Sequence, residues 1–300
     1  VDDAAALDAL LRRVPGWESG TLAVEAIDTG ITNRNFRVSA PDGVFVVRIP
    51  GDRTELLGID RAGEAEAAAR AAALGVGPPV RGELPGQGTL VTTFVAGRPA
   101  TAADLAEHHR LRSVVELVRR FHDSGPLRTS FPIFRVVEWH GRDAVANGAA
   151  LPAAFASLHA KAGAIEAAVL PSSRPCHNDL LPANVLFGPD RTWLIDFEYA
   201  GMNDLFFDLG NLSVNAALDD DADDALLVAY FGDVRAGDRA RLRLMKIMSE
   251  FREGMWAVVQ SAISTLTNID FTAYADEHLE TGLRLATAPD FERLCVEANT

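Results

Sequence analysis

Hydrophobic spacing divides the chain into two parts. Up to about residue 96, apolar residues fall in short or alternating runs that predict strands over 22–27, 35–39 and 44–49. A polar stretch at 28–34 and a turn at Pro41, Asp42 and Gly43 separate them, so the three read as antiparallel neighbours. Two further runs follow, the second over 89–95, which meets Gly97 and Pro99 as a hinge does. Helical spacing appears at 2–13, expected to form a lid without chemistry, and at 60–74, an alanine-rich helix ended by Gly75, Gly77, Pro78 and Pro79. From residue 101 the apolar period becomes helical over 101–122, 151–170, 222–231, 238–264 and 271–286. One polar hairpin is embedded there, with apolar runs at 184–187 and 193–195 joined through Gly188, Pro189 and Asp190. The pattern predicts an α+β fold of two lobes: a small antiparallel-sheet lobe over 1–96 and a larger, mainly helical lobe over 97–300.

Composition narrows the function classes. The 300 residues are 48% hydrophobic, enough for one large or two modest cores, and carry a net charge of -14. Nucleic acid and anionic membrane surfaces call for clustered Lys and Arg, so neither is an expected partner, and an acidic balance suits a cationic small molecule. Cys176 and Cys295 are the only cysteines, too few for a disulfide framework or a zinc knuckle. No apolar run reaches the length of a membrane span and no signal-like segment opens the chain, which makes the cytoplasm the expected compartment. Lys161 and Lys246 are the only lysines and neither follows a glycine-rich loop, which excludes a phosphate loop of the Walker type. A cation for phosphates must then be arginine.

The hairpin carries the chemistry. His177, Asn178 and Asp179 are followed after four residues by Asn184, and Asp196, Phe197 and Glu198 close the second apolar run. These are the offsets of the protein-kinase catalytic loop H-R-D-x-x-x-x-N and of its downstream D-F-G. A carboxylate that accepts the proton of a substrate hydroxyl has to lie beside the metal ions that neutralise phosphates, not beneath them. Asp179 is therefore expected as the base, with Asn184 and Asp196 as metal ligands set side by side by the hairpin. In the first lobe, Gly30, Thr32 and Asn33 offer open backbone and small polar groups to a phosphate. Arg48, on the third strand, stands where kinases carry their phosphate-contacting lysine, and Glu64 or, one face away, Glu66 would pair with it. Backbone groups of Thr93, Phe94 and Val95 are the expected adenine hinge. His108, His109, His122, His140 and His159 show no ligand spacing and read as surface or core residues, while a metal-dependent hydrolase built on His177, Asp179, Asp196 and Asp208 stays as the alternative from another reaction class.

Taken together, these residues resemble the choline/ethanolamine kinase branch of the aminoglycoside phosphotransferase-like kinases. The resemblance rests on Gly30 to Asn33, Val47 to Gly51, Asp60, Arg61 and Glu64, the catalytic hairpin through Tyr199, Asn203, Asp208 to Asn211, and Trp256 with Gln260. It implies a protein-kinase-like fold, ATP with Mg2+, and transfer of the γ-phosphoryl group to a hydroxyl of a small ethanolamine- or choline-like amino alcohol. Aminoglycosides, thiamine or sugars are alternative acceptors for the same fold. It also implies that Asp208 organises the catalytic loop, and that Glu198, Tyr199, Glu253 and Trp256 surround the acceptor's amine. In the family a Trp-x-x-Trp pair lines that pocket; Trp256 matches the second tryptophan and Glu253 replaces the first. A carboxylate there suits a primary ammonium, which has N-H donors, better than a trimethylammonium, which has none.

Overall fold

The computed structural model describes residues 3–27, 30–84 and 88–299. After helix α1 (Asp3–Leu11), the strands β1 (Ala23–Ile27), β2 (Asn33–Ala40) and β3 (Gly43–Pro50), helix α2 (Arg61–Ala73), and the strands β4 (Val80–Leu84) and β5 (Thr89–Thr93) build the small lobe. The five strands form one antiparallel sheet in the order β1-β2-β3-β5-β4. Strand alternation sends Phe45, Val47 and Ile49 to one face, where they bury with Leu11, Val14, Trp17, Val38, Leu84 and Val91. Helix α1 is therefore not a lid. Its apolar stripe covers the sheet face opposite Arg48, and each fully buried side chain of this size contributes about 1.5–3 kcal/mol.

Helix α2 packs the other way. Its Asp60 N-cap accepts from the amides of Ala62 and Gly63 at 3.0 and 3.1 Å, and Ala67 and Ala71 join the core of the larger lobe. That lobe begins after β6 (Arg98–Pro99) with α3 (Ala102–Leu105), α4 (His108–His122), α5 (Ile133–Ala146) and α6 (Phe155–Ala168). The expected helix over 101–122 is thus two, because Glu107 leaves helical geometry and caps α4. Strands β7 (Arg174–Cys176), β8 (Val185–Phe187), β9 (Thr192–Leu194) and β10 (Gly201–Asn203) follow, and then α7 (Leu205–Asn215), α8 (Asp220–Phe231), α9 (Ala236–Ile263), α10 (Phe271–Ala286) and α11 (Phe291–Glu297). Strand β8 pairs with β6 and β9, and β7 pairs with β10. The polar hairpin is thereby tied to β6, the segment that leads into the larger lobe.

Helix α9 is the axis of the lobe. It packs against α5, α6, α7, α8, α10 and α11, so most of its residues from Gly237 to Gln260 are buried whichever way they point. Gly210 permits the close approach of α7, since a Cβ there would lie 2.9 Å from the backbone of Met245. Among the described residues, no helix is long and apolar enough to cross a membrane.

Candidate active site

The catalytic loop hangs between β7 and β8, and buried polar groups hold nearly every part of it. Asp208, fully buried near the start of α7, accepts from the amides of His177 and Asn178, both at 2.7 Å, and from His122 Nε2 at 2.9 Å. His122 Nδ1 in turn accepts from the Tyr230 hydroxyl at 2.8 Å. Asn211 extends the same support, taking the Leu180 amide at 2.6 Å and donating to Ser249 on α9 at 3.0 Å. The Asn178 side chain donates to the Tyr199 carbonyl at 2.9 Å and accepts from Asn203 at 2.8 Å. Its backbone is left-handed, with φ 65°, as is that of Asp196, with φ 67°. Non-glycine residues hold that conformation at about 1–3 kcal/mol each, and a network this dense is what sustains it.

His122, Cys176 and Asp208 are a buried group whose potential ligand atoms lie within 4.8 Å of one another. The Asp208 oxygens are already occupied, and burial pushes the Cys176 thiol well above its ordinary range, so it keeps its proton. Magnesium takes oxygen ligands. The group is suited to supporting the loop, and Asp208, whose two oxygens are engaged there, has none to give to the hydrolase arrangement.

Above the loop, the Asp179 side chain faces two partners. Asn184 spends its amide hydrogens on the Asp179 carbonyl and Oδ2, at 2.9 and 3.2 Å, and Arg252 Nη1 lies 3.3 Å from Oδ1. Burial raises the Asp179 carboxyl to about 8 against the pull of Arg252, and the charges of Glu253, Asp196 and Glu198 add to the rise. The hairpin does bring Asn184 and Asp196 together, since the Ile195 amide donates to the Asn184 carbonyl at 2.9 Å. His177 Nε2 donates to the Ile195 carbonyl at 2.9 Å, and its ring packs 4.7 Å from that of Phe197.

Arg48 leaves the sheet on its inner face and is buried among acids. It meets Glu64 Oε1 at 2.6 Å, pairs with Asp196 Oδ1, and approaches Glu198 Oε2 at 3.9 Å. Burial alone would push its guanidinium down, but Asp196, Glu64 and Glu198 more than reverse this. The alternative left open in the sequence is settled by position: Glu66 turns outward to Arg128 Nε at 3.0 Å. Arg61 bridges Glu64 and Glu198 at 2.7 and 3.2 Å.

Glu198 lines one cavity together with Tyr199 and Phe131. It also accepts from Thr32 Oγ1 at 2.7 Å and Asn33 Nδ2 at 2.8 Å, which ties it to the glycine loop. That loop is closed at its base by Gly51, whose amide donates to the Thr32 carbonyl at 2.9 Å and where a Cβ would lie 2.5 Å from that oxygen. Gly30 opens the described part of the turn, and Asp28 and Thr29 of the predicted phosphate loop lie outside the described residues. Of the hinge residues, Thr93 and Phe94 already donate their amides to Pro79 and Val44, at 2.8 and 2.9 Å.

On the far side of Asp179, Trp256 Nε1 donates to the Tyr199 hydroxyl at 3.0 Å. Glu253 is near, but its charge is balanced: Oε1 lies 2.5 Å from Arg252 Nη1 and Oε2 accepts from Tyr274 at 3.4 Å. Arg252 was not foreseen from the sequence. Helix α9 carries several other charged residues, so nothing in the sequence set Arg252 apart.

A model of the phosphotransferase enzyme family (APH) matches residues 23–245, most of the chain, and the protein belongs to that family. A crystal structure of a choline/ethanolamine kinase family protein from Mesorhizobium loti is 31% identical and superposes with a TM-score of 0.83 over 99% of each chain. Protein LicA of Haemophilus influenzae is 30% identical over 210 residues, 67% of this chain and 60% of LicA, so the match spans about three fifths of that relative. Mouse ethanolamine kinase 2 is 24% identical over 301 residues, 87% of this chain and 75% of the mouse protein. Within its family the protein sits in the choline/ethanolamine kinase branch.

Proposed function

We propose that this protein is an ATP-dependent phosphotransferase that moves the γ-phosphoryl group to a hydroxyl of a small hydroxylated amine. The observation that carries the proposal is the position of Asp179, in contact with Asn184 on one side and with Arg252 on the other. Asp179 takes the proton of the acceptor hydroxyl, that oxygen bonds to the γ-phosphorus, and the bond from phosphorus to the ADP oxygen breaks. The names of the similar kinases, which act on ethanolamine or choline, support an amino alcohol as acceptor.

On the nucleotide side, Arg48 binds the phosphates, held in place by Glu64, while Gly30, Thr32 and Asn33 lie over them. Adenine is held at the hinge over 93–95, and since the Thr93 and Phe94 amides are engaged, an N-H contact falls to Val95. Taking the lobes as 1–96 and 97–300 sets this hinge at their junction. A magnesium ion fits here. Glu64, Asp179, Asp196, Glu198 and Glu253 face Arg48, Arg61 and Arg252, so five carboxyl groups meet three guanidinium groups, an acidic excess that a divalent cation would balance. Asn184 Oδ1 and the Asp196 carboxylate, 31% exposed, would be the oxygen ligands that hold the ion. The chemistry it would supply is neutralisation of phosphate charge.

The acceptor amine does not have Glu253 to itself, so the hydrogen bond expected from a primary ammonium is already replaced by one from Arg252. The proposal is tested by incubating the protein with ATP, Mg2+ and, in separate reactions, ethanolamine, choline, thiamine or an aminoglycoside, followed by 31P NMR. An amino-alcohol phosphomonoester formed in equal amount with ADP is expected. Inorganic phosphate as the sole product across the panel would sink the reading.

A further inference from the structure

Beside Asp179 lies a nest of the kind that binds organic cations. Its walls are the Tyr199 ring, joined through its hydroxyl to Trp256, and the carboxylates of Asp179 and Glu253, with Phe131 on the Tyr199 side and Tyr274 bonded to Glu253. The nest is full. The Arg252 guanidinium carbon lies 4.4 Å from the Tyr199 ring centre and 5.8 Å from that of Phe131, while Nη1 meets Glu253 at 2.5 Å and Asp179 at 3.3 Å. Arg252 is 1% exposed, and its guanidinium takes the Tyr199 face and one oxygen each of Asp179 and Glu253, contacts that a ligand ammonium would seek there. A buried guanidinium with two carboxylate partners is held firmly, because leaving them would strand uncompensated charge.

We infer that Arg252 is a specificity-determining residue: its guanidinium occupies the cation position beside Asp179, and the acceptor site therefore turns away hydroxylated compounds that carry a quaternary ammonium. Such a group has no hydrogen-bond donor with which to replace the guanidinium at Glu253, and it brings a second positive charge against the first. Smaller acceptors, whose amine need not enter the nest, keep access to Asp179. The inference rests on the reading that the acceptor hydroxyl meets Asp179, and it gives the site a preference against choline-like molecules through Arg252 and not, as the sequence suggested, through a free Glu253.

The experiment is calorimetric titration of choline and of tetramethylammonium, without nucleotide, into the wild-type protein, Arg252→Met and the double variant Arg252→Met/Glu253→Gln. Removing the guanidinium is expected to tighten both ligands at least tenfold in Arg252→Met. In the double variant, which removes the ion pair as a unit and so keeps the test open if the single variant does not fold, part of that gain persists. Wild-type protein that binds choline as tightly as the variants overturns the inference. The readout needs no turnover, so a failure of phosphoryl transfer on every amine would sink the proposed function while leaving this comparison to stand or fall by itself.

Discussion

Two buried arginines face each other across Asp179 and Asp196, and the molecule uses the same device on both sides of its cleft with opposite results. Arg48 is gripped by Glu64 and Asp196, yet Asp196 keeps 31% of its side chain exposed and Glu198 and Arg61 extend the charge towards the glycine loop. Arg252 is gripped by Asp179 and Glu253, but it is closed over by Tyr199 and Phe131. A cation with one exposed partner remains available to an anion such as a phosphate. A cation enclosed by its partners and by rings acts by excluding others. The pairing alone does not decide function; access does.

This contrast can be broken at several points. The largest effect is expected from Asp179→Asn, which removes the proposed acceptor for the substrate proton and should lower kcat by about 10²–10⁴-fold, measured as steady-state ADP release. A loss of less than tenfold would mean that the two sides do not meet at Asp179. Next comes the support beneath both sides. Asp208→Asn leaves one oxygen where three donors converge and sets an amide N-H against the loop's own amides, so a loss of about 3 kcal/mol or more in denaturant unfolding is expected. An unchanged unfolding midpoint would show that the loop is held by other means. The smallest effect belongs to Trp256→Phe, which removes the hydrogen bond to the Tyr199 hydroxyl and should destabilise by about 1 kcal/mol while changing acceptor KM more than ATP KM. A change confined to ATP would move Trp256 to the wrong side of the comparison.

The two sides also differed in how well they could be read in the sequence. Asn184 and Asp196 were placed by motif and hairpin spacing, and Arg48 by its position on the third strand with no lysine nearby, because local spacing survives folding unchanged. Glu64 needed the structure to separate it from Glu66, since both stand on one helix and only packing decides which turns inward. Arg252 and Glu253 are consecutive on α9, about 100° apart, and a helix with one buried face would admit only one of them. Helix α9 is enclosed on all sides, so both enter the core and find each other. The helices α5 and α7 were not predicted, although Ile133, Val136, Val137, His140 and Ala144 keep a clear helical stripe; in α7 the Asp208 to Asn211 motif drew attention away from a segment buried along nearly its whole length. Helix α1 was expected as a lid because an apolar stripe at a terminus does not reveal which face it covers.

The most direct test of the division of the cleft is a titration of ATP with Mg2+ into the wild type, Arg48→Ala and Asp179→Asn under identical conditions. Charge-assisted hydrogen bonds to phosphate are worth about 1.5–3 kcal/mol, so Arg48→Ala should weaken ATP by roughly 10- to 100-fold, with part of the loss recovered in Arg48→Lys. Asp179→Asn should bind ATP within about twofold of the wild type while having lost turnover. Equal ATP affinity in the wild type and Arg48→Ala, or a loss in Asp179→Asn as large as that in Arg48→Ala, would contradict the account.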